Sequence, residues 1–297
     1  MDSTPTTELT TAPALLPLLL RGALLSPLKR PARGAALPPE RLRLAGARID
    51  PDRLAAYRRV CGFPATGPLP LAHPHVLAFP LAMRLMTARA FPLPVLGLVH
   101  TGIEVTAHHP LTAADSPDLT VYARELVPHH RGTQVVVVTE ARLDGALAWE
   151  STSRYLARHA TASGSGSGPG SPARGAEPAP LPAVAEWRLP GDLGRRYGAV
   201  SGDRNPIHLH PLTARAFGFP RAIAHGMWTF ARCLAELPGA TTVRADFRAP
   251  VPLPSTVTYA TDGAGAFELR GRDGRVHLTG STQGQDVSRD ARAQDLS

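Results

Sequence analysis

Tyr57-Arg-Arg-Val60-Cys61-Gly62-Phe63 and Tyr197-Gly-Ala-Val200-Ser201-Gly202-Asp203 share one frame of tyrosine, valine and glycine. Further along, Leu71-Ala72-His73-Pro74-His75-Val76 parallels Ile223-Ala224-His225-Gly226-Met227-Trp228, and each opens an apolar segment of helical period. Asp144-Gly145 with Ser151-Thr152 recurs as Asp273-Gly274 with Ser281-Thr282. The three matches come in the same order, the signature of a duplicated domain. Between the copies, Ala160 to Pro182 carries Ser-Gly-Ser-Gly-Ser-Gly-Pro-Gly and a Pro/Ala run, the composition of a flexible linker.

Each copy reads as a helical segment, Val76 to Ala88 or Met227 to Leu237, followed by strands of period-two alternation. Those strands are Leu119 to Glu125, Thr133 to Arg142 and Leu147 to Ala157 in the first copy. In the second they are Thr242 to Arg248, Ser255 to Thr261, Ala266 to Arg270 and Arg275 to Ser281. Asp-Gly connections predict hairpins and antiparallel pairing. The expected fold is α+β, one long helix against a curled antiparallel sheet, twice. The expected organisation is an N-terminal extension (1–40), a first copy (41–159), the linker (160–182), a second copy (183–283) and a tail (284–297).

The copies differ where chemistry would sit. Gly62 to His73 spans 11 positions and Gly202 to His225 spans 23, so the second copy carries about 12 extra residues. They hold Asp203-Arg204-Asn205-Pro206-Ile207-His208; Phe63 stands where Asp203 does, and nothing in the first copy matches Asn205 or His208. Pro206 disfavours helix at Asn205, so an irregular turn is expected to aim Asp203 and His208 into one cleft. Histidine titrates near neutrality and a neighbouring carboxylate orients it, which suits activating a water and returning a proton. His208 and His210 do not make a metal pair, because two histidines with one aspartate lack a ligand pattern; no metal or cofactor is expected. His210 is expected to start a short helix opened by Pro211.

Tyr197-x-x-Val200-Ser201-Gly202-Asp203-x-Asn205-Pro206-Ile207-His208-x5-Ala214 resembles the signature of the MaoC-like, type-two (R-specific) enoyl-thioester hydratases and dehydratases. The resemblance implies a double hot dog, and implies that Asp203 and His208 add water to, or remove it from, an acyl thioester. Gly226, opening the second helix, is where its backbone N–H would meet the thioester oxygen. Asn205 would orient the pair, Ser201 would line the cleft, and Arg248 and His225 are candidate substrate contacts. The first copy resembles the family's non-catalytic half, and its apolar Val76 to Met86 fits either an acyl tunnel or an ordinary core. A hot-dog thioesterase and a non-catalytic acyl-thioester-binding module are the rival readings.

Composition bounds the partners. A net charge of +8 and 32 Lys plus Arg invite an anion such as coenzyme A or an acidic acyl carrier protein. Only 5% of residues are aromatic, which argues against nucleic-acid stacking platforms. Two cysteines exclude a disulfide framework and fit a reducing cytoplasm. Ala12 to Leu25 is too short to span a bilayer and is expected to be an amphipathic helix or tail packed on the body. Homodimerisation is left open, since two fused copies already supply one another's partner.

Overall fold

The computed structural model describes residues 5–29, 35–160 and 180–283; most of the expected linker (161–179) and the tail 284–297 lie outside these described residues. The elements are, in chain order, β1 (Thr6–Leu9), α1 (Leu15–Leu25), β2 (Arg41–Leu44), α2 (Pro51–Cys61), α3 (His73–Thr87), β3 (Val99–Ala107), β4 (Asp118–His129), β5 (Gly132–Leu143) and β6 (Ala146–Arg158). The second copy follows with β7 (Ala183–Leu189), α4 (Leu193–Ser201), α5 (Pro206–Leu209), α6 (Pro211–Ala216), α7 (Gly226–Leu234), β8 (Thr242–Phe247), β9 (Ser255–Thr261), β10 (Ala266–Gly271) and β11 (Val276–Gln283).

The strands form one sheet in the order β1-β2-β4-β5-β6-β3-β8-β11-β10-β9-β7. From the centre outward the order is β3-β6-β5-β4-β2 on one side and β8-β11-β10-β9-β7 on the other, the same sequence of equivalent strands. This is a double hot dog. The halves join where β3 meets β8 antiparallel, Gly102 opposite Asp246 and Thr106 opposite Thr242. Among the described residues only β1 on β2 pairs in parallel.

Local chemistry explains the repeated residues. Gly62 and Gly202 end α2 and α4 in the left-handed region, at φ 80° and 82°, which costs a side-chain-bearing residue and not glycine. Asp144 (φ 49°) and Gly145 (φ 82°) form the two-residue turn between β5 and β6, the twist that matches paired strands. Asp50 accepts from the N–H groups of Asp52 and Arg53, with Pro51 next in the chain, and so starts α2.

The two halves share their core. Tyr57 and Tyr197, both fully buried, meet with ring centroids 6.2 Å apart. Arg53 donates to the Val200 carbonyl at 2.6 Å, and Trp228 donates to that of Val60 at 2.9 Å. On the outer sheet face Arg154 meets Asp246 at 2.5 Å. Val76, Leu81, Ala82, Met83, Leu85 and Met86 of α3 are buried in the hydrophobic core.

The structure adds β1, β2, β3, β7, α2 and α4 to the expected elements. In β3 a register shift between His100 and Gly102 breaks the alternation that would have marked a strand. The helix expected to reach Leu237 stops at Leu234, four residues before Pro238. The N-terminal apolar stretch forms α1, which packs on α3; a Cβ at Gly22 would stand 2.7 Å from Thr87 Cγ2. Among the described residues no helix is long and apolar enough to cross a membrane.

Candidate active site

The loop after α4 is built from short-range hydrogen bonds. Ser201 Oγ donates to the Tyr197 carbonyl at 2.9 Å and accepts the Asp203 N–H at 3.2 Å. Asp203 Oδ1 accepts the Asn205 N–H at 3.1 Å. Asn205 Oδ1 in turn faces the Ile207 N–H at 3.4 Å and caps α5. Here the expectation of an irregular turn is corrected: His208 sits in a one-turn helix. Pro206 keeps Asn205 extended, at ψ 125°, but its own fixed φ and missing N–H suit the first helical position, so it opens α5. His210 caps α6 at Leu212, just before Pro211.

Glycines on α4 let this loop come close. A Cβ on Gly194 would stand 1.8 Å from the His208 carbonyl oxygen, and one on Gly198 would stand 2.8 Å from that of Asp203. At the matching positions of α2 the first copy has Leu54 and Arg58. Arg58 is buried and donates to the carbonyls of Pro64, Thr66, Gly67 and Pro68 at 2.7–3.2 Å, tying down the short loop that stands in place of the Asp203–His208 loop. Phe63, in the place of Asp203, stacks on Tyr57. Gly194→Ala should therefore displace His208. A misplacement of about 1 Å costs on the order of 100-fold in rate, and steady-state kinetics beside a thermal melt will read both the lost turnover and the lost stability.

His208 is buried, and its Nδ1 lies 2.8 Å from the Ile223 carbonyl. A carbonyl only accepts, so Nδ1 carries the proton and Nε2 keeps its lone pair. Burial lowers the His208 pKa below the ordinary value, against the opposing pull of Asp203, so the ring is a neutral base. His225 precedes α7 and donates from Nε2 to the Asp203 backbone carbonyl at 2.9 Å. Burial first, and then His208, push it down to about 3. The Asp203 carboxylate is part-exposed, and its Oδ2 lies 3.9 Å from His225 Nε2, too long for a hydrogen bond.

Donor atoms of Asp203, His208 and His225 lie within 4.8 Å of one another, a spacing that one water can bridge. A metal fits this trio poorly. The two imidazoles stack with centroids 3.8 Å apart and planes 27° apart, so their in-plane lone pairs cannot converge about 2 Å from both rings. The N–H of Gly226, at the first position of α7, has no acceptor within its own helix and carries the positive end of the helix dipole. A Cβ there would stand 3.2 Å from the Phe247 ring. Thus Asp203, His208, His225 and Gly226 come together, while Ser201 and Asn205 hold the loop. Arg248 is not brought to them: it is exposed beside Asp246 and Thr279, and Phe247, not Arg248, lies against Gly226.

Residues 191–276 match the model of the MaoC-like domain. Over 239 residues the chain is 36% identical to 3-hydroxyacyl-thioester dehydratase X of Mycobacterium tuberculosis, covering 78% of this chain and 84% of that protein. It belongs to the MaoC-like dehydratase family. The crystal structure of HtdX from Mycobacterium tuberculosis superposes with a TM-score of 0.70 at 33% identity, covering 82% of this chain and all of that one. A MaoC-like dehydratase from Phytophthora capsici shares the fold, with a TM-score of 0.68 at 20% identity over 84% of this chain and 96% of that one.

In this MaoC-like chain the first copy also reaches the site, with residues that sequence reasoning passed over. The Asp203 charge acts on His75 and Tyr155, both from the first copy, as well as on Tyr197. His100 stacks on Tyr155 at 4.4 Å and contacts Phe247 at 4.9 Å. His75 was visible in the repeat as a polar residue opening an apolar helix. His100 gave no signal, because the bulge that turns it inward is not written in the local pattern. Where the second copy offers the Gly226 N–H, the first has Pro74, which has none.

Proposed function

We propose that the chain catalyses reversible (R)-specific hydration and dehydration between trans-2-enoyl and (3R)-3-hydroxyacyl thioesters. The observation that carries this is the neutral His208, its proton fixed on Nδ1 by the Ile223 carbonyl, with a ring nitrogen within 4.8 Å of a carboxylate oxygen of Asp203, one water's reach. In hydration, a water held between the two gives a proton to the pair as its oxygen bonds to C3. Charge moves to the thioester oxygen at the Gly226 N–H, and the proton then goes to C2. One water is added and nothing else is consumed, so no cofactor is required. The named activity of the Mycobacterium tuberculosis relative supports the same chemistry. A cysteine nucleophile is disfavoured: Cys61 and Cys233 are buried, and burial pushes the Cys61 thiol up to about 12.

The site opens to one substrate per chain, since only the second copy carries the loop. Coenzyme A or an acyl carrier protein would present the thioester, and the two free thiols fit a reducing cytoplasm. Chiral analysis of the product from crotonyl-CoA and longer enoyl-CoA substrates tests the reading. A (3R)-hydroxyacyl thioester is expected, and release of free thiol without it would point to a thioesterase instead. Gly226→Pro copies Pro74 of the first copy and removes the donor, so kcat should fall roughly 100- to 1,000-fold. Circular dichroism should stay close to the parent, because proline is tolerated at this helical position.

A further inference from the structure

Besides Tyr57 Oη and His73 Nδ1, four buried polar atoms in the first copy find no hydrogen-bond partner among the described residues: His75 Nδ1, His100 Nε2, Ser151 Oγ and Ser153 Oγ. They form one stripe. Ser151, Ser153 and Tyr155 alternate along β6 and so share a face, the buried one, with Ser151 and Ser153 only 1% and 2% exposed. The register shift at Thr101 sets His100 opposite Tyr155, where the rings stack. His100 also lies 6.0 Å from the His75 ring and 4.9 Å from that of Phe247, which abuts Gly226. Ser153 Oγ stands near the Tyr155 hydroxyl but outside hydrogen-bond geometry. The stripe therefore begins beside the reacting position, where Asp203 acts on His75 and Tyr155, and runs into the first copy.

A buried polar group left unpaired costs about 1–3 kcal/mol, and native structures leave few of them. A wall meant for hydrocarbon alone would be valine, leucine and phenylalanine, as it is elsewhere in this core. Neutral imidazole offers one donor and one acceptor, and a serine hydroxyl offers both. We propose that this half of the cleft selects acyl chains bearing an oxygen function, a hydroxyl or carbonyl a few carbons beyond the reacting double bond, over plain alkyl chains. The proposal rests on the hydration reading and gives it a substrate class.

The test compares kcat/KM for hydration of 2-hexenoyl-CoA and 2-octenoyl-CoA with their analogues oxygenated at C5 or C7. At least one oxygenated substrate is expected to exceed its alkyl parent tenfold or more. In Ser153→Ala and His75→Leu that ratio should fall towards one. Calorimetry with saturated hexanoyl-CoA and octanoyl-CoA and their hydroxylated analogues reads the same preference without turnover. Alkyl chains bound and hydrated as well as oxygenated ones would overturn the proposal. Preferential binding of oxygenated chains with no hydration of any substrate would support it and overturn the reaction assignment instead.

Discussion

Asp203→Asn and His208→Asn should each lower kcat for enoyl-thioester hydration by about 1,000-fold or more, with melting temperatures near that of the parent. Both substitutions keep the local scaffold. An amide at position 203 still accepts the Asn205 N–H that Asp203 Oδ1 accepts at 3.1 Å. An amide at 208 can donate to the Ile223 carbonyl as Nδ1 does, yet has no atom where Nε2 stood. What each variant loses is the proton-transfer group, and positioned acid–base groups contribute typically 100- to 10,000-fold. Because the two groups hold one water, the double variant should be little worse than either single one. Additive losses would mean that the groups act on separate steps. Near-normal turnover by Asp203→Asn would remove the carboxylate from the mechanism.

Much of this is legible in the sequence. The Tyr-x-x-Val-x-Gly frame marked two equivalent positions, though not the helices α2 and α4 that end there; the left-handed φ of Gly62 and Gly202 is the physical reason that both kept glycine. The strand patterns located β4, β5, β6 and β8 to β11, because each has a buried face, Val135 to Thr139 of β5 being buried on both. They failed for β3, where the bulge at Thr101 changes the phase. Pro206 does disfavour helix at Asn205, but the irregular turn expected from it does not extend to His208, because the same proline starts the helical turn that carries that residue. Gly194 and Gly198 stood in the sequence opposite Leu54 and Arg58. Their meaning depends on the backbone that packs against them, which spacing along one helix does not reveal. The same limit hid His100, whose neighbours come from β6 and β8.

Acid should unfold this protein well above the range where carboxylates titrate. His73, His75 and His225 are held neutral by burial, their pKa values pushed down to about 3, 4 and 3; His100 and His208 are lowered as well. A lowered histidine binds its proton in the unfolded chain first, near pH 6.5, so the unfolded state gains protons as pH falls and stability drops with it. At pH 5 the folded rings of the first three are still neutral, and each costs roughly 2 kcal/mol of stability relative to pH 8. Together that is about 6 kcal/mol, comparable with the whole stability of an ordinary domain. Urea midpoints measured from pH 8 to 5 should fall steeply below pH 6.5, with an uptake of three or more protons on unfolding, and His75→Leu should reduce that uptake by one. A flat profile between pH 7 and 5 would mean that these rings are solvated or paired. Activity follows the same logic. His208 stays a base below its ordinary pKa, so the acid limb of kcat in molecules that remain folded should lie below pH 6.5, and loss of rate near pH 5 should track the unfolded fraction.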